Sequence, residues 1–271
     1  MEHGLCKMCH KEKDLQKSHL IPKSVHEYCS EGGYKPIGMF GEIVMAGARQ
    51  LKHPLLCFEC EQILSAGGEE WMADKLATYD KQFPFYDLVI QGHLADTTAG
   101  SKIYFVRDVA AIKIKDLVHF ALGIFFRASV HSWCGDSTEP RIDLGPYGEA
   151  IRTWLRGESA FPEHCYLVVH VATPERAHVG LFPPYLAEKK SWCVYYTYVS
   201  GVLFMLNVGK STGFGPKNLC IWNNPDRPIL VSGVLLDKFE AMVKEKLQSS
   251  KHTQSFLAEM EEVAKKKQTM S

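Results

Sequence analysis

Neither charge sign is in excess in this chain: 31 Lys and Arg stand against 31 Asp and Glu in 271 residues. There is then no global positive field to hold a polyanion, and any contact with nucleic acid must use a local patch. Long apolar runs are missing as well. The longest, residues 120–126 and 202–206, fall far below the roughly 20 residues that a membrane-spanning helix needs. The first thirteen residues are polar and charged, so the expectation is a soluble, cytoplasmic protein with no membrane partner. Glycine (21) and proline (13) are too few for a collagen-like or disordered chain, and the 46% apolar and 23% charged fractions are those of a globular protein. The length suits one large core with a small appendage.

Cysteine, by contrast, is plentiful. There are nine, and a cytoplasmic chain keeps them reduced rather than paired in a disulfide framework. Two pairs stand out, Cys6-Lys7-Met8-Cys9 and Cys57-Phe58-Glu59-Cys60. A C-x-x-C spacing places two thiolates on one tight turn, at about the separation of two corners of a tetrahedral Zn²⁺ site. Two such pairs close a four-sulfur site with no open position for water, which predicts structural zinc on Cys6, Cys9, Cys57 and Cys60. The alternative is four inert buried thiols, but Lys7, Lys13, Glu59 and Glu61 crowd the pairs with charge. Positions 10–56 separate the pairs, 47 residues, more than a zinc ribbon's usual 15 to 20. The insert must therefore hold structure of its own. Cys165, Cys193 and Cys220 lie singly in apolar runs and are read as core; Cys29 and Cys134 are also single.

Between the pairs lies Ser18-His19-Leu20-Ile21-Pro22, preceded by a polar hairpin and followed by the insert and Leu56-Cys57-Phe58-Glu59-Cys60. This order resembles the HNH nuclease family in its zinc-stapled, treble-clef form. It also resembles uncharacterised bacterial proteins with a Ser-His-Ile-Ile-Pro element between two such pairs. The resemblance to the nuclease motif covers residues 4–65. It implies that His19 ends a strand and acts as general base, with a Mg²⁺ or Mn²⁺ ion polarising the scissile phosphate. Active members place Asp before the base, where this chain has Ser18. Their middle Asn falls near Lys52 and His53, and their third element is Glu61 here, a carboxylate suited to a hard cation. His19 is thus read as either the general base or a residue that closes the zinc fold. The implied activity is a metal-dependent DNA endonuclease, in a bacterial or phage-defence setting. The rival is a catalytically eroded zinc module that binds DNA or a protein partner. Residues 4–26 carry five lysines against Glu12 and Asp14, enough to touch a few phosphates, with Lys17 and Lys23 as the expected contacts.

The fold class expected is α+β, a small N-terminal treble-clef zinc module followed by an antiparallel sheet packed on helices. The segments expected are 1–82 for the module, 83–232 for an α+β domain around a buried helix, and 233–271 for C-terminal helices and a tail. The module should run into a helix from Cys60, broken at Gly67-Gly68 as a hinge and resuming to about Lys81. Residues 115–133 are apolar on nearly every face, the signature of a central helix. Arg127 within it needs a carboxylate or carbonyl partner. A second helix is expected over 145–156 with Pro146 in its first turn. Strands are expected at 101–106, 166–171, 192–200, 202–208, 219–222 and 228–231, with Pro183-Pro184 in a loop. Helices are expected at 235–248 and 253–267. Val208-Gly209-Lys210-Ser211-Thr212 is no phosphate loop, because Phe204 stands where the first glycine is needed.

Overall fold

The computed structural model describes residues 2–30, 36–40, 43–46, 50–98, 100–133, 142–210 and 214–249. Strands β1 (Glu2–Leu5) and β2 (Glu12–His19) form a hairpin around the first cysteine turn, and β2 pairs on its other side with a later strand, Lys52–Cys57. Between them the insert folds into helix α1 (Lys23–Cys29) and strands β3 (Ile37–Phe40) and β4 (Ile43–Ala46). The later strand is β5, and the chain turns from it straight into helix α2 (Phe58–Leu64).

A π-helical segment, Ser65–Glu69, joins α2 to α3 (Glu70–Ala73). The expected break is present at Gly68, whose φ of 170° and ψ of −22° are non-helical, but the segment is packed tightly and is no free hinge. A Cβ on Gly68 would run into the Asp116 carbonyl, and one on Gly67 into the His119 ring. The glycines let this segment lie directly on the central helix, and the helical run stops at Ala73 instead of continuing to Lys81.

Helix α4 (Pro84–Val89) and strands β6 (His93–Thr98) and β7 (Ser101–Phe105) precede that central helix, α5 (Ile114–Val130). All of residues 117–129 in it are buried. Helix α6 (Pro146–Leu155) begins, as its sequence predicts, on a proline whose missing N–H costs nothing at a helix start. Then come β8 (Cys165–Val171), β9 (Gly180–Lys189), β10 (Cys193–Val199), β11 (Val202–Val208), α7 (Phe214–Asn218), β12 (Pro228–Val231) and α8 (Val234–Ser249). The expected helix at 253–267, with its three lysines, and Cys134 lie outside the described residues.

Nine strands make one sheet in the order β4-β3-β9-β10-β11-β8-β12-β7-β6. Pairing is antiparallel except at β12–β8 and β3–β9, which makes the sheet mixed. Strands β3 and β4, from between the cysteine pairs, thus form one of its edges. The two-residue turn Ser200-Gly201, with φ of 35° and 92°, closes the β10–β11 hairpin in the twist-matched form that hairpins favour. Helix α5 packs on one face, with Phe120 and Phe204 ring centroids 5.9 Å apart. On the opposite face α8 lays Phe239 on Tyr198, centroids 4.9 Å apart and nearly parallel. One hydrophobic cluster runs without interruption from Cys6 and Met8 through α5 to Val231.

Two local expectations are corrected. The run 219–222 is a turn, not a strand: Cys220 and Ile221 are buried, and the Ile221 N–H donates to the Leu167 carbonyl at 2.9 Å. Pro183 and Pro184 lie within β9, which its sequence suggested was a loop. Proline cannot donate to a ladder, yet β3 reaches only Gly180 and Leu181 on that side, and the pairing with β10 is irregular opposite the prolines.

His170, on β8 between β11 and β12, is 6% exposed, and its Nδ1 has no hydrogen-bond partner among the described residues. Burial pushes its pKa from 6.5 down to about 4. The unfolded ring therefore takes a proton more readily than the folded one, and stability falls as pH drops from about 6.5 towards 4. The loss approaches about 3 kcal/mol at about 1.4 kcal/mol per pKa unit. Urea unfolding of His170→Leu should show a shallower decline across that window than the unaltered chain; parallel curves would refute the assignment. His26, also held near 4 by burial first and His19 second, is common to both chains.

Candidate metal centre

The first cysteine turn is held by its own backbone. The Cys6 N–H donates to Lys11 O at 3.0 Å, the His10 N–H to Cys6 O at 2.9 Å, and the Lys7 N–H to Leu55 O at 3.1 Å. The last of these brings β5 under the turn. Cys57 caps α2 in an extended conformation and Cys60 sits in the helix's first turn, so a single helix start presents both remaining sulfurs. The strand pair β2–β5, with Leu15 opposite Cys57, brings the two couples together.

The four Sγ atoms lie within 4.8 Å of one another, a group able to hold a metal ion. Cys9 Sγ and Cys57 Sγ are 3.8 Å apart, and the Cys57 N–H donates to Cys6 Sγ at 3.3 Å. Cys6, Cys57 and Cys60 are buried and Cys9 is half-buried. The Cys60 thiol, followed by backbone N–H donors, holds the Cys6 thiol down at about 4. The same hydrogen bond, with burial behind it, pushes Cys60 well above the ordinary thiol range, and burial raises Cys57 to about 11. The shared hydrogen bond thus favours the thiolate at Cys6 and the thiol at Cys60.

Around the sulfurs stand charges from distant parts of the chain. Lys13 reaches Glu59 at 2.7 Å, tying β2 to the first turn of α2. Arg156, at the end of α6, donates from Nη1 to Cys60 Sγ at 3.6 Å, and Arg152 donates to the Met8 carbonyl. Neither arginine is marked by the cysteine motifs. The only signal in sequence is their spacing of four, which puts both on one face of α6. A cleft of ≈ 180 Å³ opens beside the knuckle, lined among others by Lys7, His10, Ser129, Asp143 and Arg152.

The residues singled out for hydrolysis are arranged otherwise. His19 ends β2 half-buried; burial lowers its pKa, opposed by a hydrogen bond with Gln50. Ser18 is buried and accepts from the Leu56 N–H at 3.1 Å. Glu61 points to Arg127, whose Nη2 donates to its Oε2 at 3.1 Å while Nη1 donates to Glu69 Oε1 at 2.5 Å. Arg127 is 1% exposed, and of the carboxylate or carbonyl partner expected for it the structure supplies two carboxylates. Burial pushes the Glu69 carboxyl up against the pull of Arg127. Glu61 Oε1 is buried and has no partner among the described residues. Among the described residues, the four cysteines are the one cluster of His, Cys, Asp or Glu side chains placed to hold a metal; His19 and Glu61 form no second one.

Of the expected phosphate contacts, Lys17 is exposed on β2, and Lys23 is paired with Glu27 at 2.8 Å along α1. The sequence did not disclose the stack of His53 on His131, centroids 3.8 Å apart and 15° from parallel, with Trp133 edge-on to His131 at 5.1 Å. Among the described residues no helix is long and apolar enough to cross a membrane. Set against protein-family models, curated proteins and solved structures, the chain matches none.

Proposed function

We propose that the four cysteines bind one structural Zn²⁺, and that the chain is a zinc-stapled, HNH-related module that docks on nucleic acid without cleaving it. The observation that carries the zinc assignment is the sulfur spacing. A tetrahedron with Zn–S near 2.3 Å has edges of about 3.8 Å, and Cys9 and Cys57 stand at 3.8 Å. All four ligands are sulfur, the donor set that suits zinc, and none of the four positions is left for water or substrate.

What favours docking over hydrolysis is the state of the other signature positions. Glu61 is engaged by the Arg127 guanidinium and Ser18 by backbone. Docking itself draws support from Lys7, Lys11, Lys17 and Lys52, which are exposed and carry no ion pair with any described residue. Strand register puts Lys17, His19 and Lys52 on one face of the three-stranded sheet.

Electrophoretic mobility shift of a duplex across a NaCl series, alongside supercoiled plasmid incubated with Mg²⁺ or Mn²⁺, tests this reading. Binding without nicking is expected. The joint change Lys17→Glu and Lys52→Glu should flatten the salt dependence by about two units of log–log slope, near 0.9 per phosphate contact. Metal-dependent nicking that disappears in His19→Ala would replace docking with hydrolysis, and absence of any binding would remove the nucleic-acid role.

A further inference from the structure

Four thiolates around Zn²⁺ carry a net charge of −2. Inside a protein such a charge persists only where N–H donors and cations are aimed at the sulfurs, and these outer groups set ligand orientation and metal affinity. Part of this shell is local, as the Cys57 N–H on Cys6 Sγ shows. The rest comes from a helix far along the chain.

Arg156 stands 96 residues after Cys60, and its Nη1 lies 3.6 Å from that sulfur. Its side chain is 20% exposed, and Glu158 Oε1 holds its other terminal nitrogen at 2.6 Å. One helical turn earlier, Arg152 donates to the carbonyl of Met8, inside the first cysteine turn, while Glu149 grips the same guanidinium at 2.7 and 2.8 Å. Each arginine is thus steered by a carboxylate on one side and spends a donor on the metal centre on the other. The planar, permanently charged guanidinium is suited to this double role in a way an ammonium is not.

We propose that α6 supplies the outer shell of the metal centre: Arg156 as a positioning residue that neutralises the Cys60 thiolate, and Arg152 as the residue that fixes the knuckle turn. Zinc affinity is then set partly by residues outside both cysteine motifs. The inference rests on the zinc reading above.

The full-length protein, with zinc content measured first, separates the two ideas. Zinc affinity by competition with a chromophoric chelator, and the sulfur-to-metal charge-transfer bands of the Co²⁺-substituted protein, are then compared across variants. Arg156→Gln should bind zinc about 10- to 100-fold more weakly, the usual cost of losing an outer-shell partner, with displaced charge-transfer bands. Arg156→Lys, which keeps the charge and loses the fork, should recover part of the affinity. Lys23→Gln, which removes the exposed Lys23–Glu27 pair on α1, should stay within about twofold of the unaltered chain, as an exposed pair contributes little. An unaltered chain that takes up zinc, with Arg156→Gln at the same affinity and unshifted bands, overturns the role of α6. An unaltered chain that takes up no zinc overturns the zinc reading itself. Should Arg156→Gln fail to fold, Arg156→Lys decides, and unshifted bands in it overturn the proposal.

Discussion

Cys57→Ser, or removal of the proposed zinc by a chelator, is expected to unfold the N-terminal sheet and its helix start. Strands β1, β2 and β5 form only a three-stranded sheet, and β1 is largely exposed, with Leu5 at its end open to solvent. Taken apart from α5, a sheet this small buries little area of its own. In zinc sites of this kind the apparent binding free energy is about 10 to 16 kcal/mol and is largely folding energy. That is comparable with the whole stability of a domain, about 5 to 15 kcal/mol. Residues 2–19 and 52–64 should therefore lose amide protection, while the β10–β11 hairpin, flanked on both sides by β9 and β8, should keep it longer. Because Cys6, Met8, Leu15, Leu55 and Leu64 share one core cluster with α5, the thermal midpoint of the whole chain should fall as well. Hydrogen exchange and a melting curve, with and without chelator, check both statements. A metal-free protein with unchanged protection and an unchanged midpoint would show that the sulfurs do not staple the fold.

Arg127→Ala should cost about 3 to 5 kcal/mol, the range found when one partner of a buried ion pair is removed. The guanidinium is the common partner of Glu61 on α2 and Glu69 on the π-helical segment. Its loss leaves two carboxylates facing each other across low-dielectric core. The triple change Arg127→Met, Glu61→Gln, Glu69→Gln should restore most of the loss, since it removes all three charges together. Urea unfolding of the three forms measures this. A cost below about 1 kcal/mol for Arg127→Ala would mean that the pairs are not what holds α5 to α2, and the structural account of Glu61 would go with them.

How much of this was legible beforehand depends on distance along the chain. The cysteine turns, Pro146 at the start of α6 and the all-round apolar character of α5 are short-range features. Each is dictated by backbone geometry within a few residues, so spacing and residue type reveal it. The strand β9 escaped notice because proline argues against a ladder. Here the ladder spares the prolines, a fact that lives in how far β3 extends along β9 and not in the residues of β9 itself. The run 219–222 has strand composition but finds its partner through one backbone hydrogen bond and a buried turn.

By itself, the sequence determined that this is an α+β chain with two thiol couples, a core helix and an arginine that had to find a carboxylate or a carbonyl. Only the tertiary structure decided that β3 and β4 would join the large sheet, that Arg127 would choose Glu61 and Glu69, and that α6 would reach the sulfurs. The physical reason is that local order follows from dihedral preference and side-chain period. Pairing across 58, 66 or 96 residues follows from which apolar surfaces meet once the chain has closed, and charge then settles wherever that burial leaves it.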